Sequence, residues 1–217
     1  MGKGECKADW AEIDNSRLNL AHGLAISHHQ PMKEPMHELE QDHDPGGKVR
    51  HALAADVVSV ARFSDCRRYR FSLSRTWDAG LKSALFVMMN PSTADEQVND
   101  PTVAKAMRFA RAWGYGRLDV GNVCAYRATD KMALLTLDDP VGADNIPAIL
   151  GMAQAADVVV IAHGQLPKGL QMHAEAVCAA LRSAGIGLHV LRLSKHGVPV
   201  HPLYLPETLR PIRWIAA

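Results

Sequence analysis

The chain has 217 residues, a formal net charge of +1 and a 47% hydrophobic content. That is enough for one domain with a sizeable core, or for one domain with an extension. So small a net charge excludes a global field that recruits nucleic acid or membrane; any basic surface must be local. No apolar run is long enough to span a bilayer and no charged-then-apolar leader opens the chain, so a soluble, cytoplasmic protein is expected. Cys6, Cys66, Cys124 and Cys178 are far apart, with no Cys-x-x-Cys pair. Their spacing argues against a zinc ribbon or a thiolate cluster and fits a reducing compartment.

Residues 1–55 differ in composition from the rest. They carry His22, His28, His29, His37, His43 and His51, several acids, and Pro31, Pro35 and Pro45. Beyond one amphipathic turn or two in Asp9–Leu20, hydrophobic periodicity fails. A poorly ordered extension is expected there. The histidine spacing fits no standard metal site, so no metal is expected. Residues 56–217 then read as a single α/β domain.

The domain opens with period-two alternation. Val58 and Val60 alternate with Ser59 and Ala61, and Tyr69, Phe71 and Leu73 with Arg70, Ser72 and Ser74. With Ser64-Asp65 as the turn, this predicts a β-hairpin with one buried face. Arg67, Arg68, Arg70 and Arg75 would form its polar face, solvated or facing phosphates. Next comes the central stretch, ALFVMMNPSTADEQVND, from Ala84 to Asp100. Its apolar run reads as a buried strand of a parallel sheet, ended by Asn90-Pro91. A polar loop leads to Asp100-Pro101, an N-cap followed by proline in the first helical position.

A helix is expected from Pro101 to about Trp113, with Val103, Met107, Ala110 and Trp113 on its buried face. A strand over Arg117–Val123 ends near Gly121-Asn122, and the loop Tyr126-Arg127-Ala128-Thr129-Asp130 follows. Lys131 to Thr136 reads as a helical turn and Asn145–Ala155 as a helix. Val158–Ala162 is a third buried strand, ending at His163-Gly164. A helix over Gly169–Ser183 and a strand over Leu188–Leu193 complete the alternation, before a segment containing His201-Pro202.

Strands alternating with helices predict a parallel sheet covered on both faces. The expected architecture is a three-layer α/β sandwich around a short four-stranded parallel sheet. Its order is 2-1-3-4, counting the strands at Ala84, Arg117, Val158 and Leu188, with the hairpin packed beside it. Right-handed crossovers collect Asn90, Asn122, His163 and His201 on one rim, where open α/β sheets bind ligands. There is no Gly-x-Gly-x-x-Gly or P-loop sequence, so no dinucleotide or ATP cofactor is expected.

Two resemblances rest on these motifs. YRFSLSRTW, FVMMNPSTADEQVNDPTVAKAMRFARAWGYG, NVCAYRATD and HGVPVHPLYL, in that order, resemble a bacterial and phage domain-of-unknown-function family of the DUF1643 type. More distantly, the order of motifs is similar to the uracil-DNA glycosylase superfamily. That second likeness implies that Asn90, beside Pro91 and Ser92, stands at the position of the water-positioning residue. It implies that Asn122 reads the edge of the base, and that His163-Gly164 follows the third strand. His201-Pro202-Leu203-Tyr204 stands at the family's last motif, ahead of a hydrophobic wedge. The chain departs from the pattern in Met88-Met89, where glycine is usual, and in Leu203, where a phosphate-gripping serine is usual. No aromatic residue aligns with the base-stacking position; Phe109 and Tyr126 are the nearest candidates.

Hydrolysis of an N-glycosidic bond needs an extruded base, a stabilised leaving group and a placed water. An asparagine such as Asn90 orients water without deprotonating it. His201 can donate to a departing carbonyl, and Asn122 offers a donor and an acceptor. The expected catalytic residues are therefore Asn90 and His201. The expected substrate-binding residues are Pro91, Ser92, Asn122, His163, Gly164, Tyr126 and Arg127. The resulting expectation is a glycosylase-like protein acting on a damaged or modified pyrimidine in nucleic acid, without metal or cofactor. Two alternatives stay open: a domain that binds a modified base or nucleotide without turnover, and a metal-dependent nucleotide or phosphoester hydrolase using Asp95, Glu96 and Asp100.

Overall fold

A computed structural model describes residues 50–215. The expected extension therefore lies, up to residue 49, outside the described residues. Among the described residues the strands are β1 (His51–Ala52), β2 (Val58–Phe63), β3 (Arg70–Thr76), β4 (Ser83–Met88), β5 (Val98–Asn99), β6 (Arg117–Asn122), β7 (Val158–Ile161), β8 (Leu188–Val190) and β9 (Ile212–Arg213). The α-helices among the same residues are α1 (Pro101–Ala112), α2 (Asn145–Ala155) and α3 (Gln171–Ser183). Short 3-10 turns cover Lys131–Thr136, Lys168–Leu170 and Pro202–Tyr204.

The chain is an α/β protein built on a mixed, seven-stranded sheet in the order β2-β3-β6-β4-β7-β8-β9. The expectation of four strands is corrected here. Neighbours β6-β4, β4-β7 and β7-β8 are parallel. The hairpin does not pack beside them but joins their sheet, because β3 pairs antiparallel with β6 from Leu73↔Val120 to Thr76↔Arg117. The short β9 closes the other edge against β8. β1 pairs with β5 in a separate two-stranded ladder, so the chain engages the domain from His51, ahead of the expected boundary at residue 56.

The apolar run of β4 explains the layering. Alternate side chains of a strand point to opposite faces. Leu85 and Val87 enter one core with Ile149 and Ala153 of α2 and Val177 and Leu181 of α3. Ala84, Phe86 and Met88 enter the other with Val103, Ala106, Phe109 and Ala110 of α1. Both faces of β4 are thus sealed by helices, and its backbone satisfies its polar groups through β6 and β7. Helix α1 starts as its sequence dictates: the Asp100 side chain accepts from the Val103 N–H, and Pro101 occupies the first turn.

The hairpin departs from its expected faces. Val58 and Val60 are 65% and 59% exposed, because β2 is an edge strand whose Ser59 side packs inward. The Ser59 hydroxyl donates to the Glu96 carbonyl at 2.6 Å and accepts from Arg75 Nη1 at 2.7 Å. Arg70 and Arg75 are likewise not a solvated polar face; both are buried. The loop after β4 folds over them. Arg75 donates to the Asn99 side chain and to the Val98 and Asp95 carbonyls. One guanidinium thus satisfies several loop carbonyls, which is why the loop needs arginine there.

Among the described residues no helix is long and apolar enough to cross a membrane.

Candidate functional site

The carboxyl ends of the parallel strands open onto a cavity of about 540 Å³. Its lining includes Asn90, Ser92, Asn122, His163, Gly164 and His201. Each arrives by a different route. Asn90 follows β4 and Asn122 ends β6, while His163 and Gly164 follow β7. His201 returns on a small hairpin beyond β8, held by Ser194 N–H to the Val198 carbonyl and Val200 N–H to the Arg192 carbonyl, at 2.8 and 2.9 Å.

The hydrogen bonds already made fix what each side chain has left to offer. The Asn90 amide nitrogen donates to the Pro91 and Ala128 carbonyls at 2.9 and 2.8 Å. Both of its N–H groups are used, so the Asn90 carbonyl oxygen is the free group, an acceptor. Asn122 is the reverse. Its Oδ1 accepts from Arg70 Nη2 at 3.1 Å, and a guanidinium only donates, so the amide Nδ2 remains as a donor. The expected donor-and-acceptor pair at Asn122 is thereby narrowed towards a donor. The Asn122 main-chain carbonyl is pinned by Asn145 Nδ2 at 2.8 Å.

His201 Nδ1 accepts from the Leu203 N–H at 3.4 Å. The neutral ring then carries its proton on Nε2 and is a donor there. Burial lowers its pKa below the ordinary 6.5; Asp100 opposes this, and His163 adds to it. His163 has the other tautomer: Nδ1 donates to the Gly164 carbonyl at 2.7 Å, leaving Nε2 as an acceptor. Burial lowers its pKa too, against that hydrogen bond. Both rings are neutral at neutral pH. Gly164 itself sits at a φ of +69°, and a Cβ there would lie 2.9 Å from the His201 Cβ. Glycine is what lets the turn after β7 approach the His201 segment.

Three expected residues do not line the cavity. Pro91 is buried behind it, its carbonyl accepting from Asn90 Nδ2 and from the Ala128 N–H. Tyr126 forms a β-bridge with Tyr69, and its ring meets the Tyr69 ring edge-on at 5.3 Å. Arg127 lies over Phe63 at 5.0 Å and donates to the Arg67 carbonyl. The bridge draws this segment towards the hairpin and away from the rim. Phe109 is fully buried in α1. Of the acidic set, only Asp100 reaches the cavity. Asp95 caps the turn at Gln97 and Val98, and Glu96 pairs with Arg67 at 3.1 Å. No group of three or more His, Cys, Asp or Glu residues is arranged around a metal position among the described residues.

Arg70 and Tyr204 are among the lining residues that the sequence did not single out. Arg70, 2% exposed, donates to the Ala94 carbonyl at 2.8 Å as well as to Asn122. Burial brings its pKa down to about 10, so it stays charged at neutral pH. It forms no ion pair among the described residues, and its Nε is buried without a hydrogen-bond partner. The signal for it was an arginine within an apolar alternation. Tyr204 stands at the mouth, 77% exposed, with its ring 5.9 Å from that of His201. It follows His201-Pro202, the expected place for a wedge. The buried thiols are poor nucleophiles: burial pushes Cys124 up to about 12 and Cys178 up to about 11.

No curated protein and no solved structure matches the chain. One family pattern matches residues 70–203, which spans the strand ends, the cavity loop and His201. The chain belongs to the family described as "Protein of unknown function (DUF1643)".

Proposed function

We propose that the protein binds a damaged or modified pyrimidine of nucleic acid in the rim cavity and hydrolyses its N-glycosidic bond without metal or cofactor. One observation carries this reading: Asn90, Asn122 and His201, from separate strand ends, line one cavity with an acceptor, a donor and a second donor left free. A water held by the Asn90 oxygen, a base edge met by Asn122 Nδ2 and a departing base oxygen met by His201 Nε2–H use all three. A neutral imidazole suits the last role, since it stabilises growing negative charge without first being neutralised by the solvent. The strand order β6-β4-β7-β8, all parallel, fits the likeness to the uracil-DNA glycosylase superfamily. Arg70 adds a buried positive charge beneath the cavity, which favours an anionic leaving group.

The test is release of base from single-stranded oligonucleotides carrying uracil, hydroxymethyluracil, hypoxanthine or other modified bases, with EDTA present. Release from at least one is expected, with binding that weakens as salt rises because phosphates are contacted. Absence of both release and binding for the whole set would remove the reading. A second reading, binding without turnover, is favoured by Leu203, which is exposed at the mouth where the superfamily has its phosphate-gripping serine. Binding without release on the same substrates is its signature.

A further inference from the structure

The base-excision reading gives His163 no part. Yet the residue is 6% exposed, and its Nε2 is left as an acceptor. His163 lines two cavities. Beside the first lies a second of about 420 Å³, and His163 and Gln165 line both. Leu166 and Cys178, both buried, give the second cavity apolar surface. Trp214, after β9, and Arg182 of α3 give it a flat one, the guanidinium carbon standing 4.9 Å from the centre of the indole ring. The indole N–H groups of Trp77 and Trp113 donate to the Tyr115 and Leu209 carbonyls at 3.0 and 2.9 Å. That of Trp214 has no hydrogen-bond partner among the described residues, although the ring packs against the core. An indole N–H so placed usually finds one. Apolar walls with a few free polar groups are what a pocket for a flat, polar-edged ring requires.

We propose that the second cavity receives the base next to the modified one in a single strand, stacked on Trp214 and Arg182 with its edge at His163. The inference rests on the base-excision reading and narrows its substrate to single-stranded nucleic acid. Because two residues line both cavities, a strand whose modified base enters the first brings its next nucleotide to the second. Indole and guanidinium planes are surfaces on which bases stack whatever their identity. Every natural base also carries an N–H at its edge, which the His163 Nε2 acceptor meets. The second cavity therefore holds a neighbour without selecting its sequence. In a duplex that neighbour is itself paired and stacked, and drawing it out adds a second extrusion cost to the first. An unpaired strand bears neither cost in full.

The test removes the neighbour. Single strands with a central uracil, hydroxymethyluracil or hypoxanthine are made in three forms: intact, with the 5′ neighbour replaced by an abasic tetrahydrofuran unit, and with the 3′ neighbour so replaced. Affinity is read by fluorescence anisotropy. Expected for the wild-type chain is a loss of about tenfold from one of the two deletions and none from the other, the size that stacking of one base supplies. Trp214→Ala should weaken binding of the intact strand by a similar factor and leave binding of the sensitive abasic strand unchanged, since the two changes remove one contact. Equal wild-type affinity for all three forms overturns the proposal and leaves the base-excision reading standing. So does a Trp214→Ala loss of the same size on the intact and abasic strands, which marks Trp214 as structural. Wild-type protein that binds and releases nothing from the whole set overturns both. If Trp214→Ala fails to fold, Trp214→Leu carries the comparison, and the wild-type measurement on the three forms needs no variant.

Discussion

At the residue scale, the site works through valences left over after folding. Asn90 has its donors occupied and Asn122 its acceptor, so two chemically identical side chains present opposite faces to one cavity. Replacing Asn90 by alanine removes the acceptor and should abolish base release while leaving oligonucleotide binding measurable. His201→Ala should slow release by about 10²–10³, the usual cost of losing one charge-stabilising donor; loss of affinity with an unchanged rate would instead mark His201 as a binding residue only. Arg70 is a further pivot. Arg70→Met keeps much of the volume but strands the Ala94 carbonyl and the Asn122 oxygen in a buried place. Leaving a buried acceptor unsatisfied costs about 1–3 kcal/mol, so urea unfolding should show a loss of at least that size. An unchanged midpoint would mean that water reaches both acceptors.

At the element scale, the parallel strands end at one rim and each delivers a short polar segment to it. The close approach of two such segments is visible at Gly164, whose backbone is left-handed at φ +69° and almost touches His201. Gly164→Ala meets both obstacles at once. Left-handed backbone costs a residue with a Cβ about 1–2 kcal/mol, and the new methyl group pushes on the His201 Cβ. Reduced stability together with reduced base release is expected, because the methyl displaces the imidazole. Thermal unfolding and the release assay on one sample check this; a stability loss with full activity would show that His201 tolerates the shift. The α1 cap is the other place where an element's end and the cavity coincide, since Asp100 belongs to both.

At the scale of the whole molecule, stability should depend on pH through the two cavity histidines. Burial lowers the pKa of both below 6.5 in the folded chain. The unfolded chain therefore binds more protons between those depressed values and 6.5. Stability rises with pH wherever the unfolded state binds more protons, so their contribution is fully present above about 6.5 and is lost as pH falls through the folded values. Urea midpoints measured from pH 7.5 downward should drop in that window, and the drop should shrink in a chain carrying His163→Gln and His201→Gln. An identical pH profile for the two chains would assign the acid sensitivity to other groups. The same burial favours the neutral His201 ring, the form in which the proposed chemistry uses it.

The sequence by itself determined the elements and much of the rim. The continuous apolar run of β4 fixed a strand buried on both faces, Asp100-Pro101 fixed the start of α1, and Asn145–Ala155 was legible as a helix to its end residues. These are local matters: side-chain period, a cap, a proline that ends pairing. The gathering of Asn90, Asn122, His163 and His201 also followed from strand order, because βα connections place strand ends together. Tertiary structure alone decided the rest. Val58 and Val60 read as buried and are exposed, since alternation states which residues share a face and not which face meets the core. Arg70 and Arg75 read as solvated and are buried, because the loop after β4 closes over them. The free valences of the cavity depend on bonds across long separations, 52 positions from Arg70 to Asn122 and 38 from Asn90 to Ala128. No local pattern encodes such a bond: whether an asparagine offers its oxygen or its nitrogen is settled only when the chain closes and distant groups take up the other half.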